Sequence, residues 1–197
     1  MGHGVKGSSP GRPRDPETDE AILEAALRVI ATDGYSRMTM DKVAAGAGVS
    51  KPTIYLRYGS KEDLATAAVA YLRVEQAPQH DGDLRLNLIE QLRHFRNTYE
   101  RLSGMSVLGT ALVEEQHTPE FMELWRERVS IPYHRLLREI LENARRRGEI
   151  DAGVDLEMVI DMMLGAYYAR YLSGEPFPDD WPQSVVDAVL KSLGRSA

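Results

Sequence analysis

Apolar side chains recur at every third or fourth position along most of this 197-residue chain, and that spacing predicts α-helices. The first predicted helix, residues 16–32, places its apolar face at Ile22, Ala25, Ala26, Val29 and Ile30. Gly34 follows, where it can end the helix in a left-handed conformation. No stretch shows the convincing alternation of a half-buried strand, and no segment repeats, so the pattern indicates an all-α fold.

The same spacing predicts about nine helices. They cover residues 16–32, 40–46, 51–57, 61–76, 84–102, 107–116, 119–147, 156–172 and 182–193. Pro132 is expected to kink or divide the long one, because proline has no N–H to donate and crowds the preceding turn. We divide the chain into a flexible basic arm (1–15), a three-helix helix-turn-helix domain (16–70) and a helical bundle domain (71–197).

The stretch "TMDKVAAGAGVSKPTIYLRYGSKEDL", residues 39–64, holds two helices too short to be stable alone in water. Thr39 and Ser50 are placed to cap them, and Gly48 permits a sharp turn between them. Ile54 points back toward Val43 to form a small shared core. This spacing predicts a helix-turn-helix.

With Ile54 inward, the second short helix is expected to present Lys51, Thr53, Tyr55 and Arg57 outward, on a rod about as wide as the major groove of DNA. Lys51 and Thr53 would lie nearest base edges, and Tyr55 and Lys61 nearer phosphates. The alternative is an ordinary helical hairpin with a solvated charged face.

The distribution of charge favours DNA as the partner of this segment. The chain as a whole carries a net charge of −6, but residues 36–61 hold five basic side chains against one acid. Arg12 and Arg14, in the Gly- and Pro-rich arm, could enter an adjacent minor groove, or the arm could be a disordered tail. There is no cysteine, which excludes disulfides, thiolate metal sites and cysteine nucleophiles.

The segment "GYSRMTMDKVAAGAGVSKPTIYLRYGSKEDL" resembles the DNA-binding signature of TetR-type transcriptional regulators, and the resemblance extends over about residues 16–70. It implies a homodimer that binds a palindromic double-stranded DNA operator and releases it when a small ligand enters the C-terminal domain. By position, the resemblance implies base contacts from Lys51 and Thr53, and phosphate contacts from Thr39, Tyr55 and Lys61. The DNA-binding residues we predict are Thr39, Ser50, Lys51, Pro52, Thr53, Tyr55, Arg57, Tyr58 and Lys61, with Arg12 and Arg14 from the arm.

The C-terminal half carries aromatic and Met side chains at helical spacing, and most of them are expected in the core. Pockets between helices are apolar with a few polar anchors, so some should line a ligand cavity. The candidates are Phe95, Tyr99, Met105, Met122, Trp125, Tyr133, Met163, Tyr167 and Tyr171. "GEPFP" after "GAYYARYL", together with "RRRGEID", is similar to the C-terminal domain of one subgroup of the same regulators.

The last two helices are predicted to form the dimer interface, as a four-helix bundle with a second copy. Apolar residues surround most of 155–172, so this helix needs cover on more than one side. The residues assigned to the interface are Met162, Gly165, Ala166, Ala169, Val185 and Val189. The alternative is a single-chain bundle that buries both helices.

Enzymatic function is not indicated by any motif. There is no HExxH, no Gly-rich phosphate loop and no nucleophile motif, and we predict no metal or cofactor. Glu114 and His117 have the spacing of a di-iron bundle, but a second such pair is missing. No apolar run would span a membrane, and we expect a soluble, cytoplasmic protein.

The function predicted is therefore ligand-responsive transcriptional repression. The alternatives within regulation are an activator or a ligand-independent regulator of the same fold. The alternative outside regulation is a helical-bundle metalloenzyme.

Overall fold

A computed structural model describes residues 15–72 and 82–193. Within these residues there is no strand, and ten α-helices account for nearly all of the regular structure. Their bounds are α1 Pro16–Asp33, α2 Met40–Ala47, α3 Lys51–Tyr55, α4 Lys61–Tyr71, α5 Leu84–Arg101, α6 Gly104–Glu114, α7 Pro119–Trp125, α8 Ile131–Arg146, α9 Leu156–Ser173 and α10 Trp181–Ser192. The all-α prediction is confirmed. Residues 1–14 of the predicted arm, with Arg12 and Arg14, lie outside the described residues, as does the end of the helix proposed to reach Gln76.

The helix predicted over 119–147 is divided near the expected place. A π-helical segment, Arg126–Ser130, joins α7 to α8, and the Ile131 N–H donates to the carbonyl of Arg126, five residues back. Pro132 follows at once, and its missing N–H and bulky ring disfavour regular α-helical bonding there. If α7, the π segment and α8 are taken as one interrupted helix, the described residues hold nine helices.

The first four helices form the N-terminal unit (α1–α4), in which α1 packs against α2 and α4. Ile22, Val43, Ile54 and Leu64 are fully buried at its centre. Each of its helices begins at a side chain that accepts a backbone N–H. The four capping residues are Asp15, Thr39, Ser50 and Ser60.

The remaining helices form the C-terminal unit (α5–α10), in which α5 packs against α6, α8, α9 and α10. Phe95 and Tyr99 on α5 and Tyr167 on α9 are buried between these helices. The two units are also in contact, since α1 packs on α6 and α4 lies against α7 and the π segment.

Candidate DNA-binding face and ligand cavity

The turn between α2 and α3 has the geometry that the sequence predicts. Gly48 adopts a left-handed conformation with φ of 66°. The Ser50 hydroxyl accepts from the Thr53 N–H at 3.3 Å and lies 2.8 Å from the Thr53 hydroxyl. Because Ile54 is buried against the core with Val43, the opposite side of α3 faces outward.

The outward side of α3 exposes Lys51, Pro52 and Tyr55, with Thr53 partly exposed. Lys51 Nζ lies 2.8 Å from a carboxylate oxygen of Asp41 on α2. This hydrogen bond raises the pKa of Lys51. Both partners are exposed, and such ion pairs contribute little stability. The lysine can therefore exchange the carboxylate for a phosphate or a base edge.

Arg57 does not lie on the outward face, so that part of the prediction is wrong. Since α3 ends at Tyr55, Arg57 leaves the helix and turns back toward α1. Its Nε donates to Asp19 at 2.5 Å and its side chain is 12% exposed. A second guanidinium nitrogen donates to the Thr53 carbonyl at 3.3 Å. Tyr58 is half-buried against the core.

Thr39 and Lys61 lie at the starts of α2 and α4, on either side of α3. The Thr39 hydroxyl accepts from the Lys42 N–H at 3.3 Å. Lys61 Nζ donates to the Ser36 carbonyl at 3.2 Å and lies 4.4 Å from the centroid of the Tyr35 ring. Lys61 is therefore held in place by the loop between α1 and α2, whereas Lys51 is held by one exposed carboxylate.

The loop between α1 and α2 is fastened to the C-terminal unit. Glu114, at the end of α6, accepts from the Ser36 N–H at 3.1 Å and from the Ser36 hydroxyl at 2.9 Å. Tyr35 stacks on Phe121 of α7 with ring centroids 4.6 Å apart. The sequence offered no signal for the Glu114–Ser36 contact, because its partners are 78 positions apart.

The C-terminal unit contains a cavity of about 270 Å³ between α5, the π segment with the start of α8, and α9. Its lining residues are Phe95, Tyr99, Val129, Ser130, Tyr133, His134, Asp161, Leu164, Gly165 and Tyr168. Phe95, Tyr99 and Tyr133 were among the predicted candidates. Tyr168, His134 and Asp161 were not predicted. Each lies three or four positions from a buried residue of α8 or α9, and that spacing could have identified them.

The other six predicted ligand residues do not line this cavity. Met122, Trp125, Met163 and Tyr167 are buried in the core, Met105 packs partly buried against it, and Tyr171 is 46% exposed. Core and cavity walls share the same helical period, so sequence spacing cannot separate the two. For the five residues other than Tyr171, the structure supports a packing role in place of a cavity wall.

The walls of the cavity are aromatic. Phe95 stacks on Tyr99 with centroids 4.2 Å apart and meets Tyr133 edge-on at 5.1 Å. Burial raises the pKa of Tyr99 well above its ordinary value and also raises the pKa of Tyr168. These two hydroxyls therefore stay protonated at neutral pH.

One side of α9 carries an apolar stripe that no other described residue covers. It consists of Met158, Met162, Ala169 and Leu172, of which Leu172 is 79% exposed. Gly165, which was also assigned to the interface, is partly buried at the edge of this stripe and lines the cavity. Ala166 and Val185 are partly buried against the core of their own chain. Val189 is only 5% exposed, so its assignment to a dimer interface is wrong. The apolar side of α10 is covered by α5.

Two features are absent from the described residues. No helix among them is long and apolar enough to cross a membrane. No group of three or more His, Cys, Asp or Glu side chains in residues 15–72 and 82–193 is placed to hold a metal ion. The Glu114 carboxylate, which has the di-iron spacing from His117, accepts hydrogen bonds from Ser36.

Family models match both halves of the chain. Residues 22–68 match the bacterial regulatory proteins of the tetR family, and residues 78–189 match a tetracyclin repressor-like C-terminal domain. An uncharacterised HTH-type transcriptional regulator of Mycobacterium tuberculosis is 32% identical, covering 95% of this chain and 92% of that protein. The DNA-binding transcriptional repressor TetR of Mycobacteroides abscessus is 31% identical, covering 89% of this chain and 93% of its own.

Solved structures share the fold. A TetR family transcription regulator matches with a TM-score of 0.62 at 30% identity, covering 90% of this chain and 99% of that one. The flavonoid-responsive regulator FrrA matches with a TM-score of 0.65 at 21% identity, covering 91% of this chain and 96% of its own.

Proposed function

Since this chain belongs to the TetR family of bacterial regulatory proteins and is a transcriptional regulator, we propose that it is a repressor released from a palindromic operator by a small molecule. The observation that carries the proposal is the pairing of an outward-facing, capped α3 with a separate aromatic cavity. In this proposal residues 1–15 are the arm, 16–70 the DNA-binding domain and 71–197 the ligand-binding and dimerisation domain.

For DNA contact, we propose that α3 enters the major groove with Lys51 and Thr53 toward base edges. Thr39, Tyr55 and Lys61 would contact phosphates on either side, and these contacts would set orientation without selecting sequence. Ser50 and Pro52 shape the start of the helix and lie close to the DNA. Arg57 and Tyr58 support α3 from behind.

For dimerisation, we propose the apolar stripe on α9. A continuous exposed apolar stripe on a helix is typical of a protein–protein contact. A closed two-fold arrangement would bring the α9 stripes together and place two copies of α3 on successive major grooves. Only a pair with the correct separation would match both half-sites of the operator.

For release, we propose that a ligand in the cavity favours a dimer in which the two α3 helices no longer match the operator. A ligand can shift this equilibrium only by its difference in affinity for the two states. The Glu114–Ser36 contact and the Tyr35–Phe121 stack support a route between the units, because they join α6 and α7 to the loop that also holds Lys61.

Selection from a pool of random DNA by the purified protein tests the proposal. We expect an enriched palindrome whose half-site centres lie about one helical turn of DNA, or a multiple of it, apart. Enrichment of no sequence, or of an unpaired half-site, would contradict the proposed operator. A variant with Lys51→Ala, Thr53→Ala and Tyr55→Ala is the matched control and should lose the enrichment while keeping its helical content.

A further inference from the structure

Among the described residues, the lining of the α5–α8–α9 cavity holds one acidic side chain and no Lys or Arg. Asp161 lies on α9, one turn before Gly165 and two turns before Tyr168, so the three face the same side of the helix. Within the described part of the chain, Asp161 makes no ion pair or hydrogen bond. Its carboxylate is exposed at the cavity wall, and no described Lys or Arg is paired with it.

The rest of the wall suits a positive charge attached to an apolar body. Four aromatic rings face the cavity, those of Phe95, Tyr99, Tyr133 and Tyr168. Ring faces attract ammonium groups within about 6 Å, and the attraction strengthens when the pair is shielded from water. A carboxylate beside several rings therefore favours a cation over a neutral molecule of the same shape.

The neighbouring cations lie on another surface. A shallow groove shares Ser130 and His134 with the cavity and continues to Arg135 and Arg138. Arg138 is paired with Glu157 there. An anionic ligand would therefore find its counter-charges outside the aromatic part of the wall.

We propose that the cavity binds a small organic monocation, an ammonium or aromatic iminium group on an apolar body, with Asp161 as its counter-ion. This rests on the proposed function, since it assigns the ligand class of the same inducer cavity. The volume, about 270 Å³, lies just below the roughly 300–1,000 Å³ typical of drug-sized ligands, so the body is small. Gly165 contributes room, because a Cβ there would meet no atom within 4 Å.

The test uses three probes that share one bicyclic ring: N-methylquinolinium, neutral methylquinoline and quinoline carboxylate. Calorimetry on the full chain at slightly alkaline pH should show the cation bound about tenfold more tightly than the neutral probe, with the anion weakest. Asp161→Asn should reduce the gap between cation and neutral probe to about threefold or less. Asp161→Lys should bind the anion better than the cation.

Glu139→Gln is the matched control, because it removes an exposed carboxylate from α8 outside the cavity lining. It should leave all three affinities unchanged. Equal binding of cation and neutral probe, tighter binding of the anion, or an unchanged gap in Asp161→Asn would overturn the assignment, as would no binding of any probe. Cation binding that leaves operator affinity unchanged would support the assignment and contradict the induction mechanism, so the two failures are distinguishable.

Discussion

At the scale of single residues, Lys51 and Lys61 carry the same charge in different surroundings. Lys51 lies in the first turn of α3 and is paired with the exposed Asp41, so its ammonium group can move to a base edge. Lys61 donates to the Ser36 carbonyl and lies against the Tyr35 ring, so its position is fixed. A fixed cation suits a phosphate, whose position along the backbone does not depend on sequence.

We therefore predict that Lys51→Ala weakens operator binding by about 1–3 kcal/mol and relaxes base preference at one position in each half-site. Lys61→Ala should weaken binding to all sequences alike and reduce the salt slope by about one per half-site. DNA selection and salt titration with both variants measure the contrast. Lys191→Ala, an exposed lysine on α10, is the control. An unchanged consensus and slope in both variants would refute the assignment.

Arg57 should contribute to stability through Asp19. Arg57→Ala leaves Asp19 without its partner, and we expect it to lower the free energy of unfolding by about 1–3 kcal/mol. Asp19→Ala should also destabilise, and the double variant should cost less than the two single changes together. Denaturant unfolding of the unmodified protein, the two single variants and the double variant measures these free energies. Additive losses, or an altered base consensus in Arg57→Ala, would instead favour a direct role at DNA.

At the scale of helices and loops, the Glu114–Ser36 contact joins the two units at one carboxylate. The same loop positions Lys61, so a shift of α6 would reach a proposed phosphate contact through two hydrogen bonds. Gly34 is required beside it, since its φ of 92° favours glycine, and a Cβ there would also crowd the end of the Glu114 side chain. The Gly34 backbone and the Glu114 side chain therefore lie close together where the two units meet.

We predict that Glu114→Ala and Ser36→Ala each weaken the coupling between ligand and operator. Ligand affinity for the free protein and operator affinity without ligand should change little. The factor by which bound ligand lowers operator affinity, and bound operator lowers ligand affinity, should fall toward one. Paired titrations with and without the second partner measure that factor. Glu115→Ala, which removes the neighbouring carboxylate paired with Arg126, should leave it unchanged. An equal loss in all three variants would argue against a specific route.

Local features of the sequence predicted the helices and turns well. Contacts between residues far apart in the sequence were not predicted. Thr39 and Ser50 were assigned as caps because a cap depends on residues two or three positions away. Arg57 was placed wrongly because its partner Asp19 lies 38 positions earlier, on another helix. The cavity wall was only partly found, since an apolar helical face has the same period whether it meets core or empty space.

At the scale of the whole molecule, the exposed apolar stripe on α9 supports the proposed homodimer. We predict that Leu172→Glu, at a side chain 79% exposed in the single chain, yields a folded monomer that binds half-sites only weakly. Val113→Glu on α6 is the matched control, since that side chain is also 79% exposed. Sedimentation at tens of micromolar measures both. A monomeric unmodified protein, or dissociation in the control alone, would reject the α9 interface.

The four capping residues of the N-terminal unit also bear on the order of folding. Each cap is satisfied within its own turn, and the contacts of α1–α4 span only about fifty residues. Closing the C-terminal unit, by contrast, brings Arg85 to Asp187, 102 positions away. Local contacts form sooner than distant ones because less chain entropy is lost in closing them. We expect α1–α4 to gain protection from hydrogen exchange before α5 and α10 during refolding, and simultaneous protection would show that the two units fold as one.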